Sequence, residues 1–119
     1  PRLIDTTPPG PVSNFLAAGG AGQVSLSWTP PGDGDLAGVR VVRKVGSYPA
    51  NPSDGTLIYE GDNSSATDGN VVNGTTYYYA AWAFDGVPNF STAAQDTATP
   101  RLIDTTPPAR VGGFVDGAR

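Results

Sequence analysis

The side chains able to do chemistry in this sequence are carboxylates and aromatic rings. The chain carries 11 acidic and 7 basic residues, with no His and no Cys. A Ser-His-Asp or Cys-His nucleophile therefore cannot be built, nor can a disulfide or a thiolate metal site. A glycosidase needs two carboxyl groups facing one cleft, and the single Glu, Glu60, falls in a short strand expected at a sheet edge. No catalytic role is expected. What carboxylates in turns can do is hold a hard cation, since Ca²⁺ takes six to eight oxygen ligands. Asp5, Asp33, Asp35, Asp85 and Asn89 all lie in or beside Pro- and Gly-rich stretches. Two readings stay open for them: a calcium cage, or Asp side chains accepting backbone N–H bonds within turns. No cofactor is required by the sequence, and calcium is the candidate.

The elements that would position these residues follow from composition and pattern. With 16 Gly and 12 Pro in 119 residues, long helices are disfavoured and short strands joined by turns are favoured. A net charge of −4 opposes nucleic-acid binding, which needs clustered positive charge. No apolar run is long enough to span a bilayer, so membrane insertion is not expected. The chain lacks an initiator Met, and it is expected to be a mature or excised piece of a longer protein.

The strongest internal signal is a repeat. PRLIDTTPP at 1–9 recurs at 100–108, a period of 99 residues, and the register continues with Val12 matching Val111 and Phe15 matching Phe114. A cloning duplication would not drift while keeping Val and Phe. A period near 100 is the size of one immunoglobulin-like sandwich. The expected organisation is an inter-module linker or N-terminal strand at 1–9, a domain at 10–99, and a linker with the first strand of the next repeat at 100–119. The end segment, 107–119, is expected to be held by a neighbour.

Seven strands are expected: Val12–Ala18, Gln23–Thr29, Val39–Val45, Thr56–Gly61, Ser64–Asp68, Thr75–Asp85 and Thr92–Thr99. QVSLSWT alternates with Val24, Leu26 and Trp28 on one face, the period of a half-buried strand. The fold class is all-β, a seven-stranded immunoglobulin-like sandwich. Over residues 6–99 the sequence resembles the fibronectin type III family in its bacterial tandem-repeat form. The resemblance is carried by Pro8–Pro9, VSLSW ending in Trp28, DLAGVRVVRK at 35–44 and NGTTYYYAAWAFD at 73–85. It implies that Trp28 is the core tryptophan of the second strand and that Tyr77 forms the tyrosine corner, its hydroxyl bonding back to the chain upstream. Val39 departs from the family's usual Tyr, which bears on core packing more than on fold.

Within that fold the start of the first strand, the loop after the second and the loop after the sixth share a pole, so the Asp5, Asp33, Asp35, Asp85 and Asn89 oxygens would converge there. If Tyr77 and Tyr79 point inward, then Tyr78, Trp82 and Phe84 point outward, with Val42 between Arg40 and Lys44. That apolar patch has three readings: a platform for sugars, a packing surface between modules, or rings covered by the Arg40 and Lys44 stems and the loop 46–55. Asn63, Asn73 and Asn89 begin N-glycosylation triplets, and Lys44, the only lysine, is most simply a solvated charge rather than a cross-link.

Pro100 and Pro107–Pro108 bracket a segment that should stay extended. Leu102 and Ile103, like Leu3 and Ile4, are expected to dock on a sandwich as an added edge strand or in the groove between modules. The functional expectation is a structural module of an extracellular or cell-surface tandem array, able to assemble into a fibre and partnered by neighbouring copies of the same repeat. The alternatives are an accessory spacer or polysaccharide-binding module of a secreted enzyme, and a module that adheres to a surface receptor.

Overall fold

In the computed structural model, which describes residues 7–102, seven strands follow in order: β1 Ser13–Gly20, β2 Gln23–Thr29, β3 Leu36–Val45, β4 Thr56–Gly61, β5 Ser65–Asp68, β6 Tyr77–Asp85 and β7 Ala94–Ala98. All pairings are antiparallel, in one sheet of order β1-β2-β5 and another of order β4-β3-β6-β7. The all-β sandwich expected from the sequence is the fold, and β2 and β4 keep their expected bounds. The differences sit at strand ends. β1 starts one residue late and runs on to Gly20, with a register shift between Ser13 and Leu16 where Asn14 takes φ 53°. β3 begins three residues early, at Leu36. β6 starts at Tyr77 because Thr75 is spent on a turn, its N–H donating to the Val72 carbonyl.

Period-2 patterning fixes which residues are inside. Val24, Leu26 and Trp28 of β2 face Val39 and Val41 of β3 and Tyr77, Tyr79, Ala81 and Ala83 of β6, and all are buried. Trp28 packs between Phe15 and Tyr59 and donates its indole N–H to the Asn63 carbonyl at 3.1 Å. Val12 and Phe15, the two residues that the repeat preserves, both contribute to this core. Burying such side chains contributes on the order of 2 kcal/mol each.

Polar groups pin the two sheets together. Asp68, at the end of β5, is buried and accepts hydrogen bonds from the Tyr79 hydroxyl and from Arg43 Nη1, each at 2.8 Å, and from the Asn70 N–H. Arg43 also lies over the Tyr77 ring and donates to the Asn70 carbonyl. The Tyr77 hydroxyl accepts the Val72 N–H at 2.8 Å, which is the upstream bond expected of the tyrosine corner. At the open edge of the first sheet, the Ala17 N–H of β1 donates to Asp96 Oδ2 of β7 at 2.9 Å, so a side chain closes a gap that no backbone ladder spans.

The chain beyond β7 stays attached. Pro100 is fully buried, its carbonyl accepts the Gly74 N–H at 2.7 Å, and the Arg101 N–H donates to the Gly20 carbonyl at 3.1 Å. Gly19 makes room for this segment, since a Cβ there would lie 2.6 Å from the Thr99 carbonyl oxygen. Pro100 and Arg101, at the start of the expected linker, are thus attached to the sandwich they leave.

Burial in the core, followed by the hydrogen bond to Asp68, raises the Tyr79 phenol well above the ordinary value of 10.0. The folded chain therefore holds a proton that the unfolded chain gives up near pH 10. The resulting stabilisation is complete below about pH 10 and is lost as pH rises further. Alkaline titration should show tyrosinate absorbance from Tyr79 only as the fold is lost, and Tyr79→Phe should flatten the decline of stability above pH 10.

Candidate functional site

Three regions carry the residues singled out in the sequence: the N-terminal pole, the outer face of the four-stranded sheet, and the segment that leaves β7.

At the N-terminal pole the carboxylates are occupied in turns. Asp85 is buried, 1% exposed, at the end of β6. Its Oδ1 accepts the N–H groups of Val87 and Asn89, its Oδ2 accepts the Asn89 side-chain amide, and its own N–H donates to the Asn89 carbonyl. These bonds close the loop around the cis Val87–Pro88 peptide and orient Asp85 and Asn89 toward one another rather than toward the solvent side of the pole. Asp33 accepts the Gly10 N–H at 3.2 Å, tying the incoming chain to the β2–β3 loop, and its carbonyl accepts the Leu36 N–H. Asp35 is exposed. Among the described residues no three acidic side chains gather closely enough to hold a metal ion. Asp85 and Asn89 form a local turn network, Asp33 a turn bond, and Asp35 an open charge. Asp5 lies outside the described residues. A cavity of about 120 Å³ opens beside the same pole, lined by Pro30, Leu36, Ala37, Gly38, Val39, Asp62 and Asn63.

On the outer face the strand register is as expected, with Arg40 paired to Trp82, Val42 to Ala80 and Lys44 to Tyr78. Exposure is not. Val42 is 1% exposed and Trp82 4%, and with Ala80 and Phe90 they form a second apolar cluster outside the sandwich core. Two segments cover it. Phe90, after β6, packs against Phe84 at 5.5 Å between ring centres. From the other side the β3–β4 loop folds over: Pro49 is buried, and Tyr48 meets Tyr78 edge-on at 5.1 Å. Arg40 fastens both segments, donating to the Pro52 carbonyl at 3.3 Å, pairing with Glu60 at 3.0 Å and lying over the Phe90 ring. Lys44 pairs with Asp54 at 3.1 Å. The Ala50 N–H, then the Lys44 ammonium, hold the half-exposed Asp54 carboxyl below its ordinary 3.8. Gly55, at φ 133°, returns the loop to β4 where a Cβ would strike the Arg43 carbonyl.

The interface role assigned to Val42 and Trp82 is thus corrected, because both are buried within the chain's own fold. Tyr78 and Phe84 remain half-exposed at the margins of the cover. Arg40 and the loop 46–55 are covers the sequence offered; Phe90 was not foreseen, since it depends on a loop whose return path no periodicity marks.

Leu102 is 78% exposed, so it does not dock on this sandwich as expected; the attachment is made by Pro100 and Arg101 instead. Leu3, Ile4 and Ile103, with the end segment 107–119, lie outside the described residues. Of the glycosylation triplets, the Asn73 side chain accepts the Gly22 N–H and that of Asn89 bonds Asp85, while Asn63 is exposed.

Two facing antiparallel sheets, a core Trp on β2 and a tyrosine corner on β6 define an immunoglobulin-like β-sandwich module. Residues 12–107 match the family model described as fibronectin type III domain, SaeA second domain, and the chain belongs to the fibronectin type III family. Solved structures with the same fold include the FN1-FN3 domains of chicken CNTN1, with TM-score 0.66, 12% identity and coverage of 79% of this chain and 33% of that one. The Clostridium perfringens spore cortex lytic enzyme SleM matches with TM-score 0.63 and 17% identity over 78% of this chain, which spans only 29% of that enzyme. An Fn3-like protein from Clostridium thermocellum matches with TM-score 0.55 and 18% identity, covering 84% of this chain and 99% of that one. No curated protein sequence matches the chain.

Arg40→Ala should release the β3–β4 loop and uncover Trp82, read as a red shift and increased quenching of tryptophan fluorescence. Trp28, buried in the sandwich core, should be unaffected.

Proposed function

We propose that the chain is a non-catalytic structural module of an extracellular or cell-surface tandem array, a spacer that sets the distance and direction between successive copies of itself. The observation that carries this reading is the exact recurrence of PRLIDTTPP at a period of 99 residues, together with the attachment of its first two residues, Pro100 and Arg101, to the domain they leave. A segment held on the domain by two backbone hydrogen bonds and a buried Pro transmits force and orientation. A loose linker transmits neither. The partners of such a module are the neighbouring copies. The absence of His and Cys from the sequence supports a non-catalytic role.

A second reading has its own support. Sandwiches of this fold occur within the chains of a spore cortex lytic enzyme and of a β-1,2-glucanase from Parabacteroides distasonis, which favours an accessory spacer in a polysaccharide-acting enzyme as the alternative. Direct binding of polysaccharide or of a surface receptor through the outer face is less favoured, because Trp82, the ring best suited to stacking, is covered.

Stretching single molecules of the native protein tests the spacer reading. A tandem array gives a regular series of unfolding events, each releasing about 300 Å of chain, as expected for a 99-residue unit extending at roughly 3.3–3.6 Å per residue. A single event of this length beside a different, larger catalytic domain would favour the accessory reading and contradict the array.

A further inference from the structure

The route of the exit segment brings two exposed apolar side chains and one cation to the C-terminal pole. Pro100 is seated against the β5–β6 loop through the Gly74 N–H, and Arg101 against the β1–β2 turn through the Gly20 carbonyl. Leu102 follows, 78% exposed, and Val72, in the same β5–β6 loop, is 65% exposed. The other cations near this end, Arg43 and Lys44, are neutralised by Asp68 and Asp54, whereas Arg101 is exposed and in no ion pair among the described residues.

The N-terminal pole has the opposite character. Asp33, Asp35 and Asp62 are exposed there and, among the described residues, none is in an ion pair. Val87, in the loop held by Asp85, is 55% exposed beside them. One pole of the sandwich is therefore cationic and apolar, and the other anionic and apolar.

We infer that this pair of surfaces forms a head-to-tail junction: Arg101, Leu102 and Val72 of one repeat seat on Asp33, Asp35 and Val87 of the repeat that follows. The occupant is the next copy of this chain's own repeat. The inference rests on the tandem reading above and deepens it by naming the contact.

Reach and charge both favour that occupant. Pro108 occupies in the next repeat the place of Pro9, which is buried at the N-terminal pole. Five residues separate it from Leu102, so the two are at most about 22 Å apart when the chain is fully extended. A tether so short holds the following pole at an effective concentration of order millimolar. Opposed charges and a few apolar side chains, too weak to associate free modules, are sufficient at that concentration. The junction would form within the array and be undetectable between separate chains. The attached Pro100 and Arg101 sharpen the geometry further, because they fix the direction in which the chain leaves the domain.

The test is a chain in which residues 10–119 follow Pro108 directly, so that the native PRLIDTTPP joins two copies, compared by amide NMR with the 119-residue chain. The junction predicts shift changes at Val72, Arg101 and Leu102 of the first copy and at Asp33, Asp35 and Val87 of the second, with both copies tumbling as one body. Arg101→Glu should abolish these changes, and adding Asp33→Arg with Asp35→Arg should restore them. Melting of the single-copy variants separates loss of contact from loss of fold. Spectra that superimpose outside the linker, with two independently tumbling copies, would overturn the junction while leaving the tandem reading intact. A native chain lacking adjacent copies would sink the tandem reading, whatever the two-copy spectra show.

Discussion

Asp68 places a negative charge where water does not reach, and the rest of the architecture follows from how that charge is satisfied. A buried carboxylate without partners would be strongly destabilising, and removing one partner of a buried pair typically costs about 3–5 kcal/mol. Here three donors meet it from three directions: the Tyr79 hydroxyl from β6, the Arg43 guanidinium from β3 and the Asn70 N–H from its own loop. The carboxylate ends β5 in one sheet, and its two side-chain partners belong to the other, so the node fixes how the sheets sit on each other. Contacts then run outward without a gap. Arg43 lies on the Tyr77 ring, the Tyr77 hydroxyl holds the Val72 N–H, and the Val72 carbonyl closes the turn with Thr75. The Gly74 N–H, within that turn, grips Pro100. A buried charge in the core is thus coupled through a few residues to the direction in which the chain leaves the domain.

The outer face obeys a different constraint. A sheet carrying Val42, Ala80, Trp82 and Phe84 on its solvent side would expose an apolar patch of the kind that drives association. The protein covers it internally, with Phe90 on one side and the β3–β4 loop on the other, Arg40 holding both. The face that parity turns outward is therefore not an open surface.

Local periodicity made much of this legible in advance. The alternation of QVSLSWT placed Val24, Leu26 and Trp28 inside, and the spacing of Tyr77 after Val71 marked the corner that the Val72 bond completes. The 99-residue repeat located the module, and the two positions it preserves, Val12 and Phe15, are core residues. What stayed hidden depends on chain reversals. Parity along β6 correctly sent Trp82 outward, and the length of the loop 46–55 suggested a cover, but nothing in parity says that Phe90 comes back against it. The Asp85 and Asn89 spacing fits both a cation cage and a turn network, and nothing in the spacing announces the three hydrogen bonds by which Asp85 holds Val87 and Asn89. Asp96 offered one missed cue: an acidic side chain at a position paired to inward-facing Tyr79 needs a donor, and finds it in Ala17.

Hydrogen exchange in Asp68→Asn measures the central coupling most directly, since the substitution keeps the side-chain shape and removes the charge. The amides of Val72, Gly74 and Arg101 should lose protection together. Unchanged protection at Gly74 and Arg101 would contradict it, showing that the exit segment is held independently of the core carboxylate.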